Sequence, residues 1–87
     1  YIKYAVYLFE NRDIENLIFY NEEALKYFPK DSTLTNNYKA FFQNIIYEHI
    51  NSGSYSEARK IVDISLARFP NESFFKKSDA VLKEKKY

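Results

Sequence analysis

Eighty-seven residues with a formal net charge of +1 make one small domain or a piece of a longer array, and so small a charge gives no drive toward nucleic acid or anionic lipid. With no Cys in the chain, disulfide and thiolate–metal chemistry are excluded. That is compatible with a cytoplasmic origin without requiring one. Tyr 9 and Phe 8 supply the buried area a short chain needs for a core, whereas one Gly and two Pro leave too few turns for a many-stranded sandwich. An all-α chain of helices joined by short turns is therefore expected. No stretch approaches the roughly 18 consecutive apolar residues of a membrane span, so no membrane partner is expected. The chain opens at Tyr1 and holds no Met, which leads to the expectation of an excised fragment or processed product.

In chain order, Tyr1, Tyr4, Ala5, Leu8 and Phe9 fit one face of a first helix. Asn11-Arg12-Asp13 makes a turn without glycine, with Asp13 as N-cap. Ile14, Leu17, Ile18, Asn21, Ala24, Leu25 and Phe28 line the next helix, which Pro29 ends. The strongest periodic segment is residues 32–51, with Leu34, Tyr38, Phe41, Phe42, Ile45, Ile46, His49 and Ile50 in one row. Asp31 or Ser32 can cap it. Ser52-Gly53-Ser54 then reverses the chain, Gly53 being free to take a positive φ. A fourth helix over 54–68 carries Tyr55, Ala58, Ile61, Val62, Leu66 and Phe69, and Pro70 stops it. Asn71 or Ser73 is expected to cap a fifth, marked by Phe74, Phe75, Ser78, Val81 and Leu82, whose polar end KEKKY is expected to fray.

Pro29 and Pro70 stand 41 positions apart. On that register Phe69 falls on Phe28, Leu66 on Leu25, Ser65 on Ala24, Ala58 on Leu17, Tyr55 on Ile14, Ser73 on Ser32 and Phe75 on Leu34. Agreement over helix, turn and cap points to a repeated helical hairpin.

The second copy resembles a tetratricopeptide repeat (TPR). Residues 39–72 carry the likeness: Phe42 at the aromatic site, Ile45 at the leucine site, Gly53 and Tyr55 at the turn, then Ala58, Val62, Ser65 and Pro70. Residues 1–31 match more loosely through Tyr1, Ala5, Leu8, Leu17, Ala24, Leu25 and Pro29. Ile46 and His49 depart from the family's small residue and tyrosine, and the period of 41 exceeds the usual 34. The excess of about two helical turns brings the apolar face back within about 20°, so it is expected to lengthen helix 32–51. The resemblance implies a right-handed α-solenoid of stacked antiparallel helical hairpins, about five helices in one TPR-like domain or fragment over 1–87. Its parts would be a first repeat over 1–31, a second over 32–72 and a terminal helix over 73–87.

Hairpins of this kind cannot bury their apolar stripes alone and stack to complete a core; Ala5, Ala24, Ala58 and Ser65 are the small residues that allow close approach. The family's concave face implies a peptide or partner-helix site at Gln43, Asn44, Tyr47 and Asn51, with Ile2, Val6 and Phe9 in the first copy and Lys3 beside them. Amides there can hydrogen-bond a peptide backbone, and Tyr47 offers flat area with a polar tip. Only Asn44 matches the family's charged carboxylate clamp, so recognition of chaperone tails is not expected. The function expected is a non-catalytic scaffold or adaptor binding a protein or peptide. The alternative is a structural self-association or spacer segment, a homo-oligomer forming through the N-terminal hairpin, where Tyr1, Tyr4 and Leu8 lack a polar cap. The Lys and Glu of residues 83–86 look like such a cap at the other end.

No enzyme is expected and no cofactor or metal is implied. His49 is the only histidine, and its place on an apolar face fits a packed role better than a general base or ligand. Glu22-Glu23 and Glu10, Asp13 and Glu15 supply carboxylates with no histidine beside them. Lys76, Lys77, Lys83, Lys85 and Lys86, with Phe74, Phe75 and Tyr87, could stack on bases, but the repeat needs those phenylalanines in its core and a basic helix end suits its own dipole. Nucleic acid is therefore not an expected partner.

Overall fold

The computed structural model describes residues 2–87, with Tyr1 and the side chain of Ile2 outside what is described. Five helices and no strand are found among the described residues: α1 (Ile2–Glu10), α2 (Ile14–Tyr27), α3 (Ser32–Asn51), α4 (Tyr55–Arg68) and α5 (Ser73–Glu84). The fold is all-α. The chain divides into two compact units, Tyr1–Tyr38 and Lys39–Tyr87, which are described in turn.

In the first unit α1 packs on α2. Ala5, Leu8, Leu17, Leu25, Leu34 and Tyr38 are buried, and the Tyr4 ring meets Tyr20 edge-on at 4.7 Å. Asn21 is fully buried, and its amide donates to the Leu17 carbonyl at 2.8 Å. That bond satisfies part of a polar group that would otherwise cost free energy in the core. Tyr38 donates its hydroxyl to Glu22 Oε2 at 2.9 Å. The expected burial of Phe28 is corrected: it follows the last turn of α2 and stays 62% exposed.

In the second unit α4 packs on α5 around Phe42, Ile45, Ile46, Ala58, Ile61, Val62, Phe75 and Leu82, all buried. Phe42 and Phe75 meet edge-to-face at 6.1 Å. Ser65 and Ser78 return their hydroxyls to the carbonyls of Val62 and Phe74, both at 2.9 Å, so small polar residues sit in the core without orphaned donors. Ala24 is only half-buried, unlike Ala5, Ala58 and Ser65. Val81 is exposed and Leu66, Phe69 and Phe74 are half-buried, so the apolar rows of α4 and α5 are narrower than the sequence pattern.

The 41-residue register reappears in the backbone. After α1, Asn11, Arg12 and Asp13 N–H bond Tyr7, Phe9 and Leu8 carbonyls; after α3, Ser52, Gly53 and Ser54 bond Glu48, Ile50 and His49 in the same pattern. These are Schellman motifs, which need a positive φ at the residue past the helix; Arg12 takes φ 54° and Gly53 φ 77°. After α2 and α4, Phe28 and Phe69 share φ near −132° and −131°, and both N–H groups bond the residue four back, Ala24 and Ser65. α1 and α3 thus end in one way and α2 and α4 in another, each pair at the same spacing.

Three capping expectations are settled here. Asp13 Oδ1 accepts from Asn16 N–H and Asp31 Oδ1 from Leu34 N–H, so Asp31, rather than Ser32, caps α3. The cap of α5 is Glu72 rather than Asn71 or Ser73, and its side chain makes no capping bond. The polar KEKKY segment leaves α5 after Glu84. It closes in a third Schellman turn, with Lys86 at φ 68° and Tyr87 N–H on the Leu82 carbonyl at 2.9 Å. Tyr87 packs on Tyr55 at 5.5 Å, Lys85 lies over Tyr55, and Arg59 donates to the Tyr87 carbonyl at 3.2 Å.

Candidate peptide-binding surface

On α3 the buried positions Phe42, Ile45 and Ile46 leave the opposite face to solvent. Asn44, Tyr47 and Asn51 are exposed there and Gln43 is half-buried. Spacings of three and four residues put 44, 47 and 51 one above the other on a helix. Tyr47 is 63% exposed, a flat ring with a hydroxyl, flanked on both sides by an amide that can both donate and accept. No ion pair falls on these four residues.

The α1 part of the expected site lies in the other unit. Val6 is exposed, and Phe9 is half-buried beneath the Arg12 guanidinium, 4.5 Å from its ring centroid. The side chain of Ile2 lies outside the described residues. Lys3 is exposed and lines a different feature. His49 is half-buried rather than part of the core, because it sits in the last turn of α3, where its carbonyl accepts from Ser52 Oγ and Ser54 N–H. Among the described residues no cluster of three metal-ligating side chains occurs, and no helix is long and apolar enough to cross a membrane.

Sequence reasoning missed a groove in the first unit. It has a volume of about 770 Å³ and is lined by Tyr20, Ala24, Tyr27, Phe28 and Leu34 together with the charged Lys3, Glu23 and Asp31. Tyr27 and Phe28 are 76% and 62% exposed, so two large rings face solvent beside two carboxylates. Glu23 is paired with Lys26 at 2.7 Å, a contact that raises the Lys26 pKa through the hydrogen bond and the charge of Glu23. The signal in the sequence was the aromatic pair before Pro29, where a chain leaving its helix cannot turn both rings inward.

The corresponding place in the second unit is a smaller hollow of about 290 Å³ lined by Lys39, Phe69 and Glu72 among others. Lys39 Nζ bonds Glu72 Oε2 at 3.4 Å and lies 5.2 Å from the Phe69 ring centroid. A second charged cluster sits between α4 and α5: Arg59 bonds Asp79 at 2.5 Å and Asp63 at 3.1 Å, and Lys83 joins Asp79 at 3.0 Å. The hydrogen bonds from Arg59 and Lys83 hold the Asp79 carboxyl below the usual carboxylate range. These groups neutralise one another and clip two helices together.

No family model, no curated protein and no solved structure matches this chain. The reading of the surface therefore rests on its own residues.

Proposed function

We propose that the chain is a non-catalytic, TPR-like interaction module, a solenoid of stacked helical hairpins that binds a peptide or partner helix. The observation that carries this reading is the strip Asn44, Tyr47 and Asn51, solvent-facing on a helix whose other side is buried. An exposed tyrosine between two amides suits peptide recognition: the ring supplies area at little entropic cost, and the amides pair with backbone groups. The doubled pattern of turns and helix ends supports the repeat on which the family resemblance depends. Val6 and Phe9 offer a second, more apolar strip on α1.

A peptide library panned against the chain tests this. Selected peptides are expected to lose at least about tenfold in affinity, roughly 1.4 kcal/mol, against a chain carrying Gln43→Ala, Asn44→Ala and Tyr47→Ala, with its helical circular dichroism unchanged. Peptides that bind both chains equally would remove the α3 strip from the site. The self-association alternative is favoured by Tyr4 and Tyr7, both about half exposed on α1. Sedimentation velocity separates the two: a monomer at all concentrations supports the peptide binder, and a dimer lost on Tyr4→Ser with Tyr7→Ser supports the spacer.

A further inference from the structure

In α3 only Lys39 and Glu48 carry formal charge. Lys39 is engaged with Glu72. Between it and Glu48 lies an uncharged stretch whose solvent-facing members are Asn44 and Tyr47, with Asn51 one turn beyond. Among the described residues, the amides of Asn44 and Asn51 and the Tyr47 hydroxyl make no hydrogen bond within the chain. Asn44 stands mid-helix, where Lys or Glu would suit an exposed position better. Its amide gives α3 nothing and is available to a ligand.

Amides of this kind call for a ligand with unused backbone groups. A helical partner bonds its N–H and C=O groups to one another, whereas an extended segment leaves them available. Spacing then selects the kind of extension. The Cα atoms of Asn44 and Asn51 stand about 10.5 Å apart along the helix. A polyproline II chain returns to the same side every third residue, about 9.3 Å on, a gap that flexible asparagine side chains span. A β-strand returns every second residue, at about 6.7 and 13.4 Å, and misses by roughly 3–4 Å either way. The largely exposed Tyr47 ring lies between the two amides, where the intervening residues of such a chain fall.

We infer that the α3 strip takes a neutral, proline-rich segment in the polyproline II conformation. Asn44 and Asn51 donate from Nδ2 to carbonyl oxygens three residues apart, and the Tyr47 ring packs against a proline between them. Proline suits each contact. It has no N–H to leave unpaired, its ring packs on an aromatic face, and the segment is extended before it binds, so little entropy is lost. Charge complementarity points the same way: the uncharged strip offers no counter-ion, and a charged segment would lose hydration with nothing to replace it. This rests on the α3 strip being the binding surface, as proposed above, and names the class and conformation of its ligand.

The probe is acetylated, amidated decaproline, titrated into the isotope-labelled 87-residue chain and followed by amide NMR. Saturable shifts are expected in the side-chain amides of Asn44 and Asn51, with an affinity changing less than about twofold between about 0.05 and 0.3 M salt. Asn44→Ala with Asn51→Ala, and Tyr47→Ala alone, are each expected to weaken binding at least about tenfold, and Tyr47→Phe to keep it within about threefold. These positions face solvent, so each variant is expected to keep the parent's helical circular dichroism. Phe28→Ala in the first unit is expected to leave binding unchanged, and a neutral helical peptide of alanine and glutamine is expected not to bind. No saturable binding of decaproline, or equal binding by the Tyr47→Ala and Asn44→Ala, Asn51→Ala chains, overturns the inference. Binding of the helical peptide in place of decaproline, lost on Tyr47→Ala, also overturns it while leaving the α3 strip a peptide site. Library peptides indifferent to every α3 substitution remove the strip itself, and the inference with it.

Discussion

Set side by side, the two units use one backbone pattern and finish it with different side chains. Both turn from an odd to an even helix through a Schellman motif, but the second places Gly53 at the left-handed position and the first places Arg12. A side chain there costs roughly 1–2 kcal/mol in an L-residue. Arg12 offsets part of it with a bond to the Phe9 carbonyl at 2.5 Å and a position over the Phe9 ring. The hollow near each proline differs in its lining: in the second unit Lys39, paired with Glu72, lines it beside Phe69, and in the first the rings of Tyr20, Tyr27 and Phe28 line it with Lys3, Glu23 and Asp31. Hydrogen bonds of turns and helix ends depend on chain path alone, so they persist where side chains diverge. What covers a surface depends on which side chain is at hand.

The largest effect is expected from Phe75→Ala, which empties a fully buried ring site touching Phe42, Phe69 and Phe74. A loss of about 3–5 kcal/mol is expected in urea unfolding; a loss under about 1 would mean the second unit does not depend on that ring. Ala58→Leu comes next. Ala58 has no exposed surface, so overpacking should cost about 1–3 kcal/mol, and a thermal melt matching the parent would take Ala58 out of the core.

The turn comparison is sharpened by exchange. Gly53→Arg is expected to cost about 1–2 kcal/mol from the left-handed backbone, although no atom lies within 4 Å of an added Cβ. Arg12→Gly should change stability by less than about 1 kcal/mol, since relief of the backbone is met by lost side-chain contacts and a looser unfolded chain. Equal and opposite effects from the two would show that Arg12's contacts contribute nothing.

A smaller effect concerns acid. Asp79's carboxyl is held low in the folded chain by Arg59 and Lys83, so its stabilisation is present above the unfolded carboxylate value of about 3.9 and is lost as pH falls through the folded value. Asp79→Asn should cost on the order of 1 kcal/mol at neutral pH, and the gap from the parent should close as pH drops below about 4. A gap constant down to about pH 2 would separate the Asp79 contacts from its charge. Least is expected of Phe28→Ala, within about 0.5 kcal/mol, because its ring is mostly in solvent; a core-sized loss would show that the groove is closed.

Helix 32–51 was legible because twenty residues of one period outvote any single exception, and its bounds, Ser32–Asn51, are those expected. Asp13 as a cap and Gly53 at positive φ were legible because each conformation admits few residue types. The strip of Asn44, Tyr47 and Asn51 could be placed on the helix from spacing alone. The groove at Phe28 could not, because periodicity assigns a face to a ring without knowing that the helix has ended one residue earlier. The end of α5 was hidden for a related reason: KEKKY reads as polar and loose, and its partners Tyr55 and Arg59 are distant in sequence.

By itself the sequence determined the helices, their breaks and the 41-residue doubling, since these follow from local propensity, capping and period. Only the tertiary structure decided that Lys39 meets Glu72 beside the Phe69 ring, that Arg59 clips Asp79 and Tyr87 together, and that Phe28 faces water. Such outcomes depend on which side chains meet across helices, and no run of adjacent residues encodes that meeting.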